Sequence, residues 1–289
     1  MKTLNVIGAG RVGSTLATLW QTQRVFEVRD VLDGTPAGAR EAVLLIGAGT
    51  PRETLAQMQA ADVWMITTPD RHLEQACVDL AATGVLRSGD VVFHCSGSSS
   101  SAELAPAVTR GADAASVHPL KSFADARDAV RTFAGTFCAA EGTAPALTLL
   151  RSAFESIGAR VSEVDPRFKT IYHAASVVVS NYVAALIETG LRCYAKAAVP
   201  REAALAMIEP MVRDTVENVF RLGPARALTG PIARGDQTVV GRHLEALSAW
   251  DPEITEVYRA LGIAAVGLAR EQGEAENEAL ARIEALFKR

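Results

Sequence analysis

The chain has 289 residues, 49 % of them hydrophobic and 21 % charged, which excludes a disordered chain and predicts two domains. With 33 acidic against 29 basic side chains its net charge is −4, so it lacks the basic footprint of a nucleic-acid partner. Cys77, Cys95, Cys138 and Cys193 are scattered, without zinc or redox-pair spacing; they predict free thiols in the cytoplasm and no metal site.

In chain order, strand Thr3–Ile7 runs directly into Gly8-Ala9-Gly10-Arg11-Val12-Gly13. The start at Met1 predicts no export leader. The six residues form a G-x-G-x-x-G motif that opens a helix at Ser14–Gln21. The first glycine permits the turn, the second lets a pyrophosphate approach, and the third allows close helix packing. The helix N-terminus then offers free N–H groups to phosphate. A second strand, Phe26–Leu32, ends at Asp33, where an acid would accept the ribose 2′-OH of NAD; NADP would favour an arginine there. Gly47-Ala48-Gly49 predicts only a turn.

Further strands are expected at Asp62–Thr67, Asp90–His94, Ala114–Val117, Gly135–Ala139 and Arg160–Val164, with helical stretches such as Leu73–Thr83 between them. This alternation predicts a doubly wound, mainly parallel α/β sheet. Three loops follow strand ends, where such sheets bind ligands. They are Thr67-Thr68-Pro69-Asp70, His94-Cys95-Ser96-Gly97 and His118-Pro119-Leu120-Lys121-Ser122-Phe123. The serines at 98–101 predict a flexible surface turn.

After Asp165-Pro166, a helix-start signal, the pattern is helical to Phe287. The expected domains are residues 1–165, binding dinucleotide, and 166–289, all-helical, for substrate and dimerisation. On a helix over Phe168–Glu188, Lys169, His173, Ser176 and Ser180 fall within about 60° of one another at 100° per residue. The rest of that helix is apolar and is expected to be buried. Lys169 is the candidate acid or electrophile for a carbonyl oxygen, its pKa lowered, with His173 as partner; Tyr172 and Asn181 flank the stripe. The run near Val177, broken by Ser180 and Asn181, is expected to be too short and polar to span a bilayer of about 20 residues. In Thr229–Asp236, Arg234 could fork onto a substrate carboxylate. The acidic stretch Glu271–Glu284 predicts a solvated helix with Leu280, Ile283 and Phe287 packed.

The ordered set Gly8-x-Gly10-x-x-Gly13, Thr68-Pro69-Asp70, His94-x-Ser96-Gly97, His118-Pro119-x-x-Ser122-Phe123, Lys169-x-x-Tyr172-His173-Ala174-Ala175, Ser180-Asn181 and Gly230-Pro231-x-x-Arg234-Gly235-Asp236 resembles the Rossmann-like oxidoreductases with a helical C-terminal domain. These lie near ketopantoate reductase, pyrroline-5-carboxylate reductase and the deazaflavin-dependent NADP oxidoreductases. The resemblance implies an NADP- or NAD-dependent oxidoreductase, often homodimeric, acting on a small carbonyl or hydroxy compound such as ketopantoate. It implies cofactor contacts from residues 8–13, Asp33, Thr68, Pro69 and Ser96. Ser96, His118, Tyr172, Ser180, Asn181, Arg234 and Asp236 would line the substrate site. Relatives pair the helix lysine with an asparagine where this chain has His173, and NADP users carry an arginine near Asp33-Gly34. The alternative expectations are a nicotinamide-binding sensor without turnover and a methyltransferase on a related Rossmann-like sheet.

Overall fold

The computed structural model describes residues 1–288, which divide by compactness between Asn181 and Tyr182. The first unit holds β1 (Lys2–Ile7), α1 (Arg11–Thr22), β2 (Phe26–Leu32), α2 (Pro36–Ile46), β3 (Thr50–Arg52), β4 (Val63–Ile66), α3 (Leu73–Ala82) and β5 (Val91–His94). It continues through α4 (Ala105–Val108), β6 (Asp113–Pro119), α5 (Ala126–Arg131), β7 (Phe137–Gly142), α6 (Ala144–Ser156), β8 (Arg160–Glu163) and α7 (Lys169–Val179). The eight strands form one sheet in the order β3-β2-β1-β4-β5-β6-β7-β8. Strand order reverses beside β1, the position where doubly wound sheets open a ligand crevice.

Side chains alternate between the two faces of each strand. Val63 and Met65 join Val91 and Phe93 on one face, while Trp64 and Ile66 join Val92 on the other. Trp20 of α1 anchors the first face. Its ring meets Phe26, Phe93 and Phe154 edge-on, and its indole N–H donates to the Ala153 carbonyl at 2.8 Å.

Seven strands were expected; the eighth, β3, is a short edge strand containing Pro51. A polar pair fixes it. Arg52 Nε donates to the buried Asp30 carboxylate at 2.7 Å, and the Gln59 N–H donates to the other oxygen at 2.6 Å. The sheet also departs from parallel at one place: β7 lies antiparallel to β6, pairing Ser116 with Glu141, and β8 is parallel to β7.

The strand-to-helix change falls after Glu163, close to residue 165. The first compact unit nevertheless runs on through α7, because the Lys169 side chain is buried among groups of β6 and β7. The expected single helix over Phe168–Glu188 breaks at Ser180, with φ −122° and ψ −71°, and α8 (Asn181–Lys196) follows. A second correction concerns its burial. Of α7 only Lys169 is buried, while Ile171, Val178 and Val179 are exposed. A third concerns its length. The helical run Pro166–Lys196 spans 31 residues with a window of mean hydropathy 1.4, long and apolar enough by those measures to cross a membrane.

The second unit continues with α9 (Arg201–Leu222), α10 (Pro224–Ala227), α11 (Gln237–Ser248), α12 (Pro252–Gln272) and α13 (Asn277–Phe287). Val240, Leu244 and Val266 pack with Leu280, Ile283 and Phe287 of the acidic C-terminal helix. In the first unit, Trp20→Ala is expected to cost about 3–5 kcal/mol, read as a lower urea midpoint for the loss of sheet structure.

Candidate functional site

The glycine loop is built by close backbone approach. Gly8 has φ +87°, and a Cβ there would lie 2.5 Å from the Thr68 nitrogen. A Cβ on Gly13 would overlap Thr67 Oγ1 and the Gly8 carbonyl. Thr67 Oγ1 donates to that carbonyl, and the Thr67 N–H donates to the Ile7 carbonyl at 2.8 Å. Gly10 faces open space and caps α1 without a side-chain bond. The first N–H groups of α1, from Arg11 and Val12 onward, have no intrahelical partners. Asp33 Oδ1 accepts from the Ala9 N–H at 2.9 Å, tying the end of β2 to the loop. A groove of about 400 Å³ runs past Ala9, Gly10, Arg11, Ser14 and Asp33.

A smaller cavity of about 140 Å³ joins this region to the next strand ends. Val12, Thr67, Thr68, Asp70, His94, Cys95 and Ser96 line it. Thr68 Oγ1 is buried there with no hydrogen-bond partner among the described residues. Pro69 is exposed beside it.

The serines after β5 are not a loose turn. Ser96 Oγ accepts from the N–H of Ser99 at 3.0 Å, and Ser98 Oγ donates to Asp70 at 2.8 Å. Ser101 donates its N–H and its hydroxyl to the two oxygens of Glu141, both at 2.7 Å. His94 fastens the same loop: Nδ1 accepts from the Ser96 N–H at 3.1 Å, leaving Nε2 to donate to the Ser100 carbonyl at 3.0 Å. That tautomer is neutral. Burial, opposed by the Ser100 bond, pulls its pKa down to about 4, and the Lys169 charge adds to the shift.

Lys169 lies beneath this loop, 1 % exposed. Its Nζ donates to the Ser96 carbonyl at 3.1 Å and to Ser116 Oγ, and faces Glu141 Oε1 at 3.6 Å. Desolvation lowers its pKa, and the Glu141 carboxylate opposes that shift. The direction matches the expectation, and burial is the largest cause. Two of its donors are thus engaged, and the Glu141 carboxylate faces the ammonium at ion-pair distance. Direct contact with a substrate oxygen would require one of these partners to be exchanged.

One turn along α7, Tyr172 and His173 meet His118. The Tyr172 hydroxyl lies 3.2 Å from His118 Nδ1, and the two imidazoles are 5.8 Å apart edge-to-face. Both rings press on Gly97, where a Cβ would overlap His173 and lie 2.8 Å from His118 Cε1. Burial and the neighbouring His173 pull the His118 pKa down to about 4, and burial pushes Tyr172 up to about 12. Ser176 Oγ instead bonds back to the Tyr172 carbonyl at 3.3 Å. Ser180 and Asn181 are exposed at the helix break.

The structure thus gathers Ser96, His118, Lys169, Tyr172 and His173 from three sequence segments. Arg234 and Asp236 belong to the second unit, where Arg234 is exposed and Asp236 caps α11 by accepting from the Val239 N–H at 3.0 Å. Glu141, Ser116 and Ser101 were missed. Only the pairing of β6 with β7 brings Glu141 to Ser116, and no local pattern announces it. Among the described residues no metal-holding cluster occurs.

A depressed imidazole pKa means that the unfolded chain binds more protons than the folded one between about pH 4 and 6.5. Stability from His94 and His118 is thus complete above about pH 6.5 and is lost as pH falls towards 4. NMR titration should find both rings neutral down to about pH 5; a midpoint near 6.5 for either would contradict their enclosure.

Residues 2–119 match the model for a Rossmann-like domain, and residues 136–265 match that of Domain of unknown function (DUF2520). Among solved structures, TM1727 from Thermotoga maritima is 22 % identical at a TM-score of 0.73, covering 93 % of this chain and 99 % of its own. BF3122 from Bacteroides fragilis, by name a candidate NADP oxidoreductase, is 20 % identical at 0.71, with coverages of 94 % and 98 %. Pyrroline carboxylate reductase from Plasmodium falciparum, solved with NADP bound, is 13 % identical at 0.59, with coverages of 99 % and 98 %. At these identities the likeness is one of fold. No curated protein matches the chain in sequence. The first match spans β1 to β6, and the second runs from β7 into α12.

Proposed function

We propose that the chain is an NAD(P)-dependent oxidoreductase acting on a small carbonyl or hydroxy compound, with residues 1–165 as its dinucleotide-binding part. One observation carries this reading. The cavity that begins at Val12 and Thr68 of the glycine-loop region ends at Ser96, next to the Gly97 backbone on which His118 and His173 converge. The residues fit the cofactor by two tests. The loop is a cradle that a Cβ at Gly8 or Gly13 would fill, and the orphaned Thr68 hydroxyl lacks a partner that a bound ligand could supply.

When bound, the dinucleotide would give or take a hydride at the substrate carbon. The chain's groups do the rest. The loop N–H groups of residues 8–13 and the α1 N-terminus would hold phosphate, and Thr68, Pro69 and Ser96 would be further cofactor contacts. His118, hydrogen-bonded to Tyr172, and His173 meet the substrate oxygen and move its proton. Lys169 acts from behind them as a fixed buried charge. Ser180 and Asn181 would be further substrate contacts; in the second unit Arg234 keeps an exposed guanidinium fork that suits a carboxylate such as that of a 2-keto acid, on the loop before the Asp236 cap.

Residues 166–289 would then serve substrate binding and homodimerisation. Exposed Ile171 and Val179 on α7, and Met211, Val216 and Phe220 on α9, are apolar surface that a partner would cover. The free thiols fit a reducing cytoplasm.

Titration with either reduced nicotinamide cofactor should raise its fluorescence, and a panel of 2-keto acids should then oxidise it. His118→Ala should cut turnover by about 10²-fold or more with binding kept. Failure to bind either cofactor would sink the reading. Lys169, buried among Ser96, Ser116 and Glu141, favours a second reading, a nicotinamide-binding sensor; tight binding without oxidation by any carbonyl would select it. Light scattering should give twice the chain mass, and Phe220→Asp should shift it towards the monomer.

A further inference from the structure

We propose that Tyr172 is a positioning residue that sets the tautomer of His118: its hydroxyl donates to Nδ1, so Nε2 carries the ring hydrogen and offers it to an acceptor beside Gly97. This rests on the oxidoreductase reading above and deepens it by selecting carbonyl substrates over protonated imines. Two rungs hold the pair. On β6, Ser116 and His118 are two residues apart and share a face of the sheet. On α7, Lys169 and Tyr172 are three residues apart and share a face of the helix. Lys169 Nζ donates to Ser116 Oγ, and the Tyr172 hydroxyl lies 3.2 Å from His118 Nδ1. The buried lower rung therefore sets the height of the upper one.

The direction of the upper bond follows from what each group can give. A phenol has one hydrogen to donate, and a neutral imidazole has one nitrogen that only accepts. His118 is the only hydrogen-bond partner of the Tyr172 hydroxyl among the described residues. Donation from Nδ1 to the phenol oxygen would leave the hydroxyl hydrogen unused. Burial pushes the Tyr172 pKa up to about 12, so at neutral pH the phenol keeps that hydrogen. The His118 pKa lies at about 4, so its Nδ1 lone pair is free to receive it. His173 and the Lys169 charge on α7 disfavour an imidazolium, and Asp70 after β4 opposes them. Nε2 lies 2.9 Å from where a Cβ on Gly97 would stand, and it has no hydrogen-bond partner among the described residues.

An imidazole that stays neutral at neutral pH has no imidazolium proton to spend, so its proton must be replaced as it leaves. Tyr172 stands where that replacement is needed. As a carbonyl carbon receives hydride from a reduced nicotinamide, its oxygen takes the Nε2 proton and Nδ1 takes the phenol proton. One O–H bond forms on the substrate and one breaks on Tyr172. The ring stays neutral, and water returns a proton to the tyrosinate at the half-buried hydroxyl. A carbonyl oxygen accepts from Nε2–H, whereas a protonated imine would set its own N–H against it, and that clash rejects it.

The test reads the tautomer without any ligand. Nitrogen-15 NMR of the intact chain at neutral pH should show His118, identified by its loss in His118→Ala, with hydrogen on Nε2 and a bare Nδ1. Tyr172→Phe should move the Nδ1 signal and admit the other tautomer. With a reduced nicotinamide cofactor and a 2-keto acid, the same variant should cut kcat by about 10²-fold while KM holds. The wild-type chain should reduce the keto acid faster than a cyclic imine. Hydrogen on Nδ1 in the wild type, an unmoved Nδ1 signal in folded Tyr172→Phe, or faster reduction of the imine overturns the proposal and leaves the oxidoreductase reading standing. Binding of neither cofactor overturns that reading, while the spectra still decide the tautomer. The wild-type spectrum does so even if Tyr172→Phe does not fold.

Discussion

An ammonium withdrawn from water must find its countercharge within a few ångströms or lose its proton. Lys169 finds it in Glu141, and the surrounding architecture serves that pairing. Glu141 sits opposite Ser116 because β7 runs against β6. Ser101 closes both carboxylate oxygens, so the serine loop is pulled onto the pair. The first compact unit reaches past its last strand into α7 for the same reason. Removing either charge alone would leave the other buried and unmatched, a far larger loss than removing both.

The direction of α7 then orders the site by depth. Lys169 in its first turn meets Ser116, and His173 one turn later meets His118, two residues further along β6. The helix therefore climbs towards the carboxyl end of β6, with its charge at the bottom and its imidazole at the top. Between them, Ser96 contributes a carbonyl to the lysine and lines the cavity. The Lys169 charge also disfavours protonation of His94 and His118, which burial already keeps neutral.

Much of this was legible in the sequence, and the unread part has a common cause. The glycine loop, the strand-end loops and the Lys169–His173 spacing are local patterns, and local patterns survive in one dimension. Glu141, Ser116 and Ser101 act through register between strands and a loop, which no single window contains. β3 was hidden because a three-residue edge strand with a proline has no period to detect; its partner Asp30 holds it by charge instead. The apolar surround of the α7 stripe was read correctly as a composition but not as a location. Apolar periodicity says that a face seeks cover, and does not say whether the same chain supplies it.

The serine loop has a thermodynamic consequence. Its backbone and hydroxyls are engaged with Asp70, His94, Glu141 and Lys169 before any ligand arrives. The conformational entropy of ordering it has already been lost on folding, so a ligand arriving at Gly97 does not have to lose it again. Recognition there is preorganised: affinity depends on the contacts made, with little deduction for arranging the surface that makes them.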